Sequence, residues 1–419
     1  MGLKSFKFDR WEIGGAFGDL GTLLPLMVAL ITLNHMNPTS IFLVVGLSYA
    51  LSGLFYRLPI PVQPLKAVAA IAIATGLSAS VVSASGLIMA AFLLILAVTR
   101  LINPIAKLFP VTIVRGIQLG LGLFLIKAGV LLTINRRVVI GGTNAVVNIA
   151  HISVPVSLLL AIGCGLVLLL FLKKRLLPPS LVLLTIGVGV GLVWGSFHGL
   201  STVRLGFSLP SLSLPKISDL STAFFVLVIP QIPLTLANAV FAMSSTAKTY
   251  FGPEAQRVTP RALLTTMGIA NLAAGLLGAV PVCHGSGGLT AHYRFGARTG
   301  GATLMLGALF IGLAVAVNGN ILPILSLIPY SVLGVLTIFV GVRHALLVTD
   351  VRGVQDILVV AVIATVAFIT TNLAIGFASG IVLHLAFKTV GRYHIRPLII
   401  QPTSILPGIV SVDNGGKDI

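Results

Sequence analysis

Pro61-Val62-Gln63-Pro64-Leu65-Lys66 and Pro281-Val282-Cys283-His284-Gly285-Ser286-Gly287-Gly288 read as one device built twice, about 220 residues apart. Each follows an apolar span and opens another that is too short to cross a bilayer comfortably. Interrupted spans at matching positions in two halves point to the central binding site of a transporter. A helix that starts in mid-membrane leaves its first N–H groups without intrahelical partners and turns its positive dipole end to the gap. Two such ends at one point suit an anion.

The rest of the chain fits that setting. Of 419 residues, 57% are hydrophobic and 9% charged, and mean hydropathy is +1.09. So few charges cannot cover a soluble protein of this length, whereas apolar stretches long enough to cross a bilayer recur throughout. Helices are expected rather than an outer-membrane barrel, since few short strands alternate apolar and polar residues. The charged start, residues 1–12, and the long first span do not form a cleavable signal. The net charge of +18, from 27 Lys+Arg against 9 Asp+Glu, reads as the positive-inside rule and not as nucleic-acid binding. Cys164 and Cys283 lie far apart in apolar segments and imply neither a disulfide nor a metal site.

About fourteen membrane segments are expected, in two sets of seven separated by residues 196–219. The first set is 13–33, 39–56, a short 64–77, 85–102, 111–132, 154–172 and 179–197. The second is 223–244, 261–279, a short 285–293, 301–317, 324–342, 355–371 and 373–387. Seven per half inverts the second half relative to the first. With the N-terminus in the cytoplasm, the inside loops carry Arg57, Arg100, Lys107, Lys173, Lys174, Arg175, Lys248, Arg257, Arg261, Arg294, Arg298, Arg343 and Arg352. The tail adds Lys388, Arg392 and Arg396, and the outside loops hold only Arg136, Arg137, Arg204 and Lys216. That asymmetry supports the count and places both termini in the cytoplasm. Further matches extend the repeat. Phe109-Pro110-Val111 corresponds to Ile328-Pro329-Tyr330, Ala50–Leu54 to Leu272–Leu276, and Gly18-Asp19-Leu20 to Ala237-Asn238-Ala239.

The candidate site residues follow from this frame. Asp19 is the one acid placed deep in a span, where a carboxylate is costly; it reads as a proton-coupling group or as a structural acid bonded to a neighbour or to Lys66. Gln63 can donate to an oxygen, Lys66 adds positive charge, and Pro61 and Pro64 interrupt the helix. His284 can bond a ligand, couple protons, or be satisfied by backbone. Gly285, Gly287 and Gly288 allow close backbone approach, and Ser286 offers a hydroxyl. In Pro230-Gln231-Ile232-Pro233-Leu234-Thr235-Leu236-Ala237-Asn238, the polar Gln231, Thr235 and Asn238 share a helix face, which reads as cavity lining or inter-helix bonding. Arg115 near a span start is a weaker candidate, and Asp356 reads as interfacial. No catalytic residues and no cofactor are expected.

Phe17-Gly18-Asp19-Leu20-Gly21-Thr22, Pro61 to Ala67, Pro230 to Thr235, Pro281 to Leu289 and Tyr293-Arg294-Phe295-Gly296-Ala297-Arg298 together resemble the molybdate transporter family, which is related to the sulfate permease (SulP) superfamily. The resemblance runs over most of the chain. It implies an all-α, SulP- and uracil-permease-like fold of seven-plus-seven inverted repeats, with a core and a gate domain interleaved in sequence. Residues 1–198 would be the first repeat (13–102 core, 111–197 gate). Residues 220–388 would be the second (223–293 core, 301–387 gate), and 389–419 a short tail without the STAS domain of sulfate permeases. Substrate would lie between the starts of the third and tenth helices, beside the first and eighth, and so near Gln63, Pro64, Lys66 and His284 to Gly288. Leu65 and Ser286 stand where many members have Met and Ala.

The leading expectation is a secondary transporter of molybdate and tungstate, working by alternating access with proton-coupled uptake. Its partners would be the oxyanion, the bilayer, protons as co-substrate and, as a candidate, a second copy of the chain. The alternatives are a sulfate or other anion permease on the same fold, a nucleobase carrier, or an uncoupled anion channel. An intramembrane enzyme has little support, since Cys283 and His284 lack a third orienting group. No P-loop appears. A compact chain without a targeting segment suits a prokaryotic inner membrane.

Overall fold

The computed structural model describes residues 5–99, 110–135, 152–172, 178–194, 214–316 and 321–389. Short pieces at 101–102, 137–139, 144–149 and 200–201, and the single positions 104, 142, 203, 206, 210 and 212, are also described. The expected basic positions Arg100, Lys107, Arg136, Lys173, Lys174, Arg175, Arg204, Arg392 and Arg396, together with Phe109 and nearly all of the tail, lie outside the described residues.

The first half opens with α1 (Arg10–Ala16), a 3₁₀ turn at Phe17–Asp19 and α2 (Leu20–Leu33), so the first span breaks at Asp19. Helix α3 (Pro38–Tyr56) follows, its start fixed by Asn37 accepting from the Ser40 N–H at 3.0 Å. Strand β1 (Gln63–Pro64) then precedes the short α4 (Lys66–Thr75), and α5 (Ala79–Thr99) and α6 (Val111–Thr133) come next. A hairpin of β2 (Val146–Ile149) and β3 (Ile152–Pro155) leads into α7 (Val156–Phe171) and α8 (Pro179–Val193). That hairpin is absent from the sequence expectation, because its residues adjoin and enter an apolar span.

The second half begins with one continuous helical stretch, Ile217–Arg257. It contains α9 (Ile217–Thr222), α10 (Ile229–Leu234) and α11 (Met243–Phe251), joined by wider π turns at Ala223–Val228 and Thr235–Ala242. Pro230 and Pro233 supply no N–H to the ladder, which loosens it. The α-helix outruns the expected 223–244 because polar residues such as Lys248 continue it where hydropathy falls; Gly252 (φ +53°) ends it after Phe251, and a 3₁₀ turn, Gly252–Arg257, follows. Next come α12 (Pro260–Leu276), strand β4 (Val282–Cys283), the short α13 (Ser286–Arg294), α14 (Gly301–Ala316), the one-turn α15 (Leu322–Leu325), α16 (Tyr330–Ala345), α17 (Val354–Thr370) and α18 (Leu373–Thr389). Six of these stretches are long and apolar enough to cross a membrane by length and composition, and six more apolar helices are shorter. The pattern is consistent with two sets of seven.

Packing follows an internal twofold. Helix α3 lies against α14 and α12 against α5, while α6 packs on α16 and β1 on β4. If segment n corresponds to segment n+7, the first two pairs exchange and the last two map onto themselves, as one axis requires. Large apolar side chains face outward (Ile95, Leu170, Val193, Val382), while Asp19, Gln63, Gln231 and His292 are buried. A soluble protein does the reverse. Where α6 meets α16 the backbones nearly touch: a Cβ on Gly122 would lie 2.7 Å from the Gly341 carbonyl oxygen, and one on Gly341 equally close to that of Gly122.

The Tyr293 to Arg298 motif has a structural task. Glu12 Oε1 accepts from the N–H groups of Arg298 (3.0 Å) and Thr299 (2.8 Å), and Gly296 takes a φ of +112° to make the turn. The first helix is thereby latched to the end of α13. Substituting Gly341→Leu is expected to cut the yield of monodisperse, detergent-solubilised protein several-fold and to lower its unfolding temperature, read by size-exclusion chromatography and thermal melting.

Candidate functional site

Proline determines where both short helices begin. Pro61, Pro64 and Pro281 contribute no N–H and push the residues before them into extended conformation. The two extended runs then pair with each other. β1 and β4 are antiparallel, with Gln63 opposite Cys283 and Pro64 opposite Val282, and the Leu65 N–H donates to the Pro281 carbonyl at 2.8 Å. Asn271 Oδ1 accepts the Val282 N–H at 2.6 Å. The two short helices therefore start from one buried crossing. At its far end α4 stops at Gly76 (φ +67°), and Asn34 Nδ2 donates to the carbonyls of Ala72 and Leu77 at 2.8 Å each.

The two helix starts differ. At α4, Gln231 Oε1 accepts from the N–H groups of Ala67 (2.9 Å) and Val68 (3.4 Å). Thr235 steadies that amide by accepting from Gln231 Nε2 at 3.0 Å. A side-chain oxygen thus sits where an anion would bind. At α13 no side chain caps the helix, and no described group accepts from the N–H groups of Ser286 and Gly287.

Asp19, Gln63, Asn238 and the first turn of α13 converge. Gln63 Nε2 donates to Asp19 Oδ2, while Gln63 Oε1 is buried without a partner. A Cβ on Gly288 would lie 2.6 Å from Asp19 Oδ2 and 2.7 Å from Gln63 Nε2. Gly285 faces Gln63 Oε1 and Asn238 in the same way, whereas a Cβ on Gly287 would meet nothing within 4 Å. Ser286 Oγ donates to Asn238 Oδ1 at 2.7 Å, so its hydroxyl proton is already used. Lys66 is buried, and no described group pairs with its ammonium; the ion pair with Asp19 is not formed.

A small cavity of about 20 Å³, room for roughly one water, lies at this point, so a larger guest needs its walls to move. It is lined by Lys66, Gln231, Leu234, Asn238 and Cys283, and from the other side of the molecule by Gln118 and Leu121 of α6 and His344 of α16. Asp19, Gln63, Gly285, Ser286 and Gly288 lie together beside it, Thr235 stands behind Gln231, and Pro64 is part of the crossing. His284 does not join them. Its Nδ1 bonds the Pro61 carbonyl (2.8 Å) and its Nε2 the Thr266 hydroxyl (3.0 Å), so the backbone-satisfied reading describes its surroundings. Arg115 is paired with Asp350 and does not line the cavity. Gln118 and His344 escaped the sequence reading. Gln118 is an amide inside an apolar span, a signal of the same kind as Gln231, and His344 was masked by the basic loop residue beside it.

Residues 11–125 and 223–343 match the family described as "Molybdate transporter of MFS superfamily". The chain belongs to the molybdate transporter family. Molybdate transporter 2 of Arabidopsis thaliana is 30% identical over 413 residues, covering 90% of this chain and 87% of that protein. Molybdate transporter 1 of Chlamydomonas reinhardtii is 27% identical, covering 88% and 90%. Among solved structures, the transmembrane domain of the cyanobacterial bicarbonate transporter BicA aligns with a TM-score of 0.60 at 16% identity, over 90% of this chain and 98% of that one. The murine anion transporter Slc26a9, in its inward-facing state, gives 0.65 at 16% identity, over 93% and 70%. The fold is therefore the SulP/SLC26 one, and the protein is a multi-pass integral membrane protein.

The positions of this glycine-rich start are expected to tolerate substitution unequally. Gly287→Ala should leave molybdate affinity within about twofold of wild type. Gly288→Ala pushes a methyl between Asp19 and Gln63, and should weaken binding at least about tenfold, read by calorimetry on proteins of matched thermal stability.

Proposed function

We propose that this chain is a secondary transporter that carries molybdate, and tungstate with it, across a prokaryotic inner membrane by alternating access. One observation carries the reading: two short helices begin at a single buried crossing, and a buried lysine without a counter-ion faces the cavity beside them. Helix N-termini and an ammonium attract a tetrahedral dianion, whose oxygens only accept hydrogen bonds. The names of the relatives support this anion, and the transport function sets the chain apart from an enzyme.

In the mechanism we infer, the oxyanion enters the cavity and accepts from Lys66 Nζ and from the open N–H groups of Ser286 and Gly287. It displaces the Gln231 carbonyl oxygen from the start of α4 and takes over those N–H groups. The segments expected as core (13–102 and 223–293) then move against those expected as gate (111–197 and 301–387), carrying the site from one side of the membrane to the other.

Asp19 is the proton-coupling group in this scheme. Its carboxylate accepts from the Gln63 amide, and the unpartnered Gln63 Oε1 gives the protonated acid an acceptor after a local amide rotation. Both charge states thus find a partner. Protonation removes a negative charge beside the anion site, so proton and oxyanion bind with positive coupling. The proton also offsets membrane work, since each unbalanced charge costs about 2.3 kcal/mol per 100 mV.

Uptake into proteoliposomes tests the scheme. Molybdate uptake should rise as the outside pH falls below the inside pH. Asp19→Asn should lower it at least about tenfold and flatten that dependence. If Asp19→Asn transports with the wild-type rate and pH profile, Asp19 is not the coupling group.

A further inference from the structure

The cavity wall formed by α6 carries a polar device that the transport scheme above does not use. Gln118 lies on this wall with only 5% of its surface exposed. A carboxamide has a donating end and an accepting end, and which one faces the cavity is decided by its other contacts. Here Arg115 Nη1 donates to Gln118 Oε1 at 2.9 Å. The opposite orientation would set N–H groups against the guanidinium, donor to donor. The Gln118 NH₂ group is therefore the end left over, and no described group accepts from it.

Arg115 is itself immobilised. Its Nε donates to both carboxylate oxygens of Asp350, at 2.9 and 3.1 Å, and its Nη2 pairs with Oδ2. Arg115 is 3% exposed and Asp350 26%. Asp350 closes the 3₁₀ turn after α16, the helix that brings His344 to the same cavity, and His344 Nδ1 is buried without a partner. An ion pair between the two repeats thus fixes the direction of an amide that the protein leaves half-bonded. The Gln118 NH₂ group opens onto the cavity, where a water or a bound ligand can accept from it.

We propose that Gln118 is a substrate-contacting residue that donates its amide N–H to the bound oxyanion from the α6 wall, and that Arg115 and Asp350 are positioning residues holding it in that orientation. The proposal rests on the oxyanion-transport reading. It gives the bound anion one contact from the expected gate segments in addition to those from the helix starts and Lys66. The contact is made only when the two sets of segments close on the anion together.

Calorimetry with sodium molybdate on the full-length protein in nanodiscs tests this. Gln118→Glu keeps the side-chain volume and the contact with Arg115 but removes both N–H donors; its molybdate affinity should fall at least about a hundredfold. Gln118→Met should lose at least about tenfold. Arg115→Lys keeps the charge facing Asp350 but not the fork, and should lose about as much as Gln118→Met. The double variant Arg115→Lys/Gln118→Met should be no weaker than Gln118→Met alone, because both act through one contact. A purely structural arginine would instead give multiplied losses, which would overturn the positioning role. Wild-type affinity in both Gln118 variants would overturn the substrate contact while leaving the oxyanion reading standing. Failure of the wild-type protein to bind molybdate or tungstate would remove that reading, and this inference with it.

Discussion

In a bilayer core, no water is available to backbone N–H and C=O groups. A chain that interrupts a helix at mid-depth must therefore find partners within the protein. Here two interruptions satisfy each other: β1 and β4 pair across the twofold axis, and Leu65 donates to Pro281. Neither interruption could be stable alone. The inverted repeat is thus what makes a buried non-helical crossing tolerable, and the crossing is what places two helix starts at one point.

Much of the surrounding packing can be understood as support for that crossing. Asn271 accepts the Val282 N–H, and His284 accounts for the Pro61 carbonyl. Asn34 takes up the carbonyls at the far end of α4, which at 10 residues spans only about 15 Å of a roughly 30 Å hydrocarbon core. Gln231 closes the near end of the same helix, while α13 is left open and admits only glycine where Asp19 and Gln63 press against it. The asymmetry is informative. The two repeats share a backbone plan but not a chemistry, and the lysine, the carboxylate and the capping amide each come from one half only.

The architecture was legible because its signals are local and strong. Paired proline motifs, apolar spans and the distribution of Arg and Lys along the loops led to an expectation of seven segments per half, with which the described helices are consistent. The structure brings Gln63, Asn238 and the Gly285 to Gly288 run together at the matching starts of the two halves, whereas the break of the first span at Asp19 had no sequence signal, since residues 13–33 read as one unbroken span. Three side-chain roles were not legible either. His284 stayed open between a ligand, a proton-coupling group and a backbone-satisfied ring, and only the fold shows both ring nitrogens engaged, by the Pro61 carbonyl and the Thr266 hydroxyl. Gln231 looked like a cavity residue, and nothing in one dimension marks it as the cap of a helix some 160 residues earlier. Gln118 was passed over because a single amide in an apolar span is ambiguous until its neighbour Arg115 is seen to orient it.

The central claim is that the two helix starts jointly hold the transported anion. It is tested most directly by locating bound tungstate, a strong scatterer, in a structure of the protein in complex with it. The account predicts a peak within hydrogen-bonding distance of the N–H groups at the starts of both α4 and α13, with the Gln231 carbonyl displaced. A peak confined to the basic surface around Lys7, Arg294 and Arg298, with the cavity beside Lys66 empty, would contradict it.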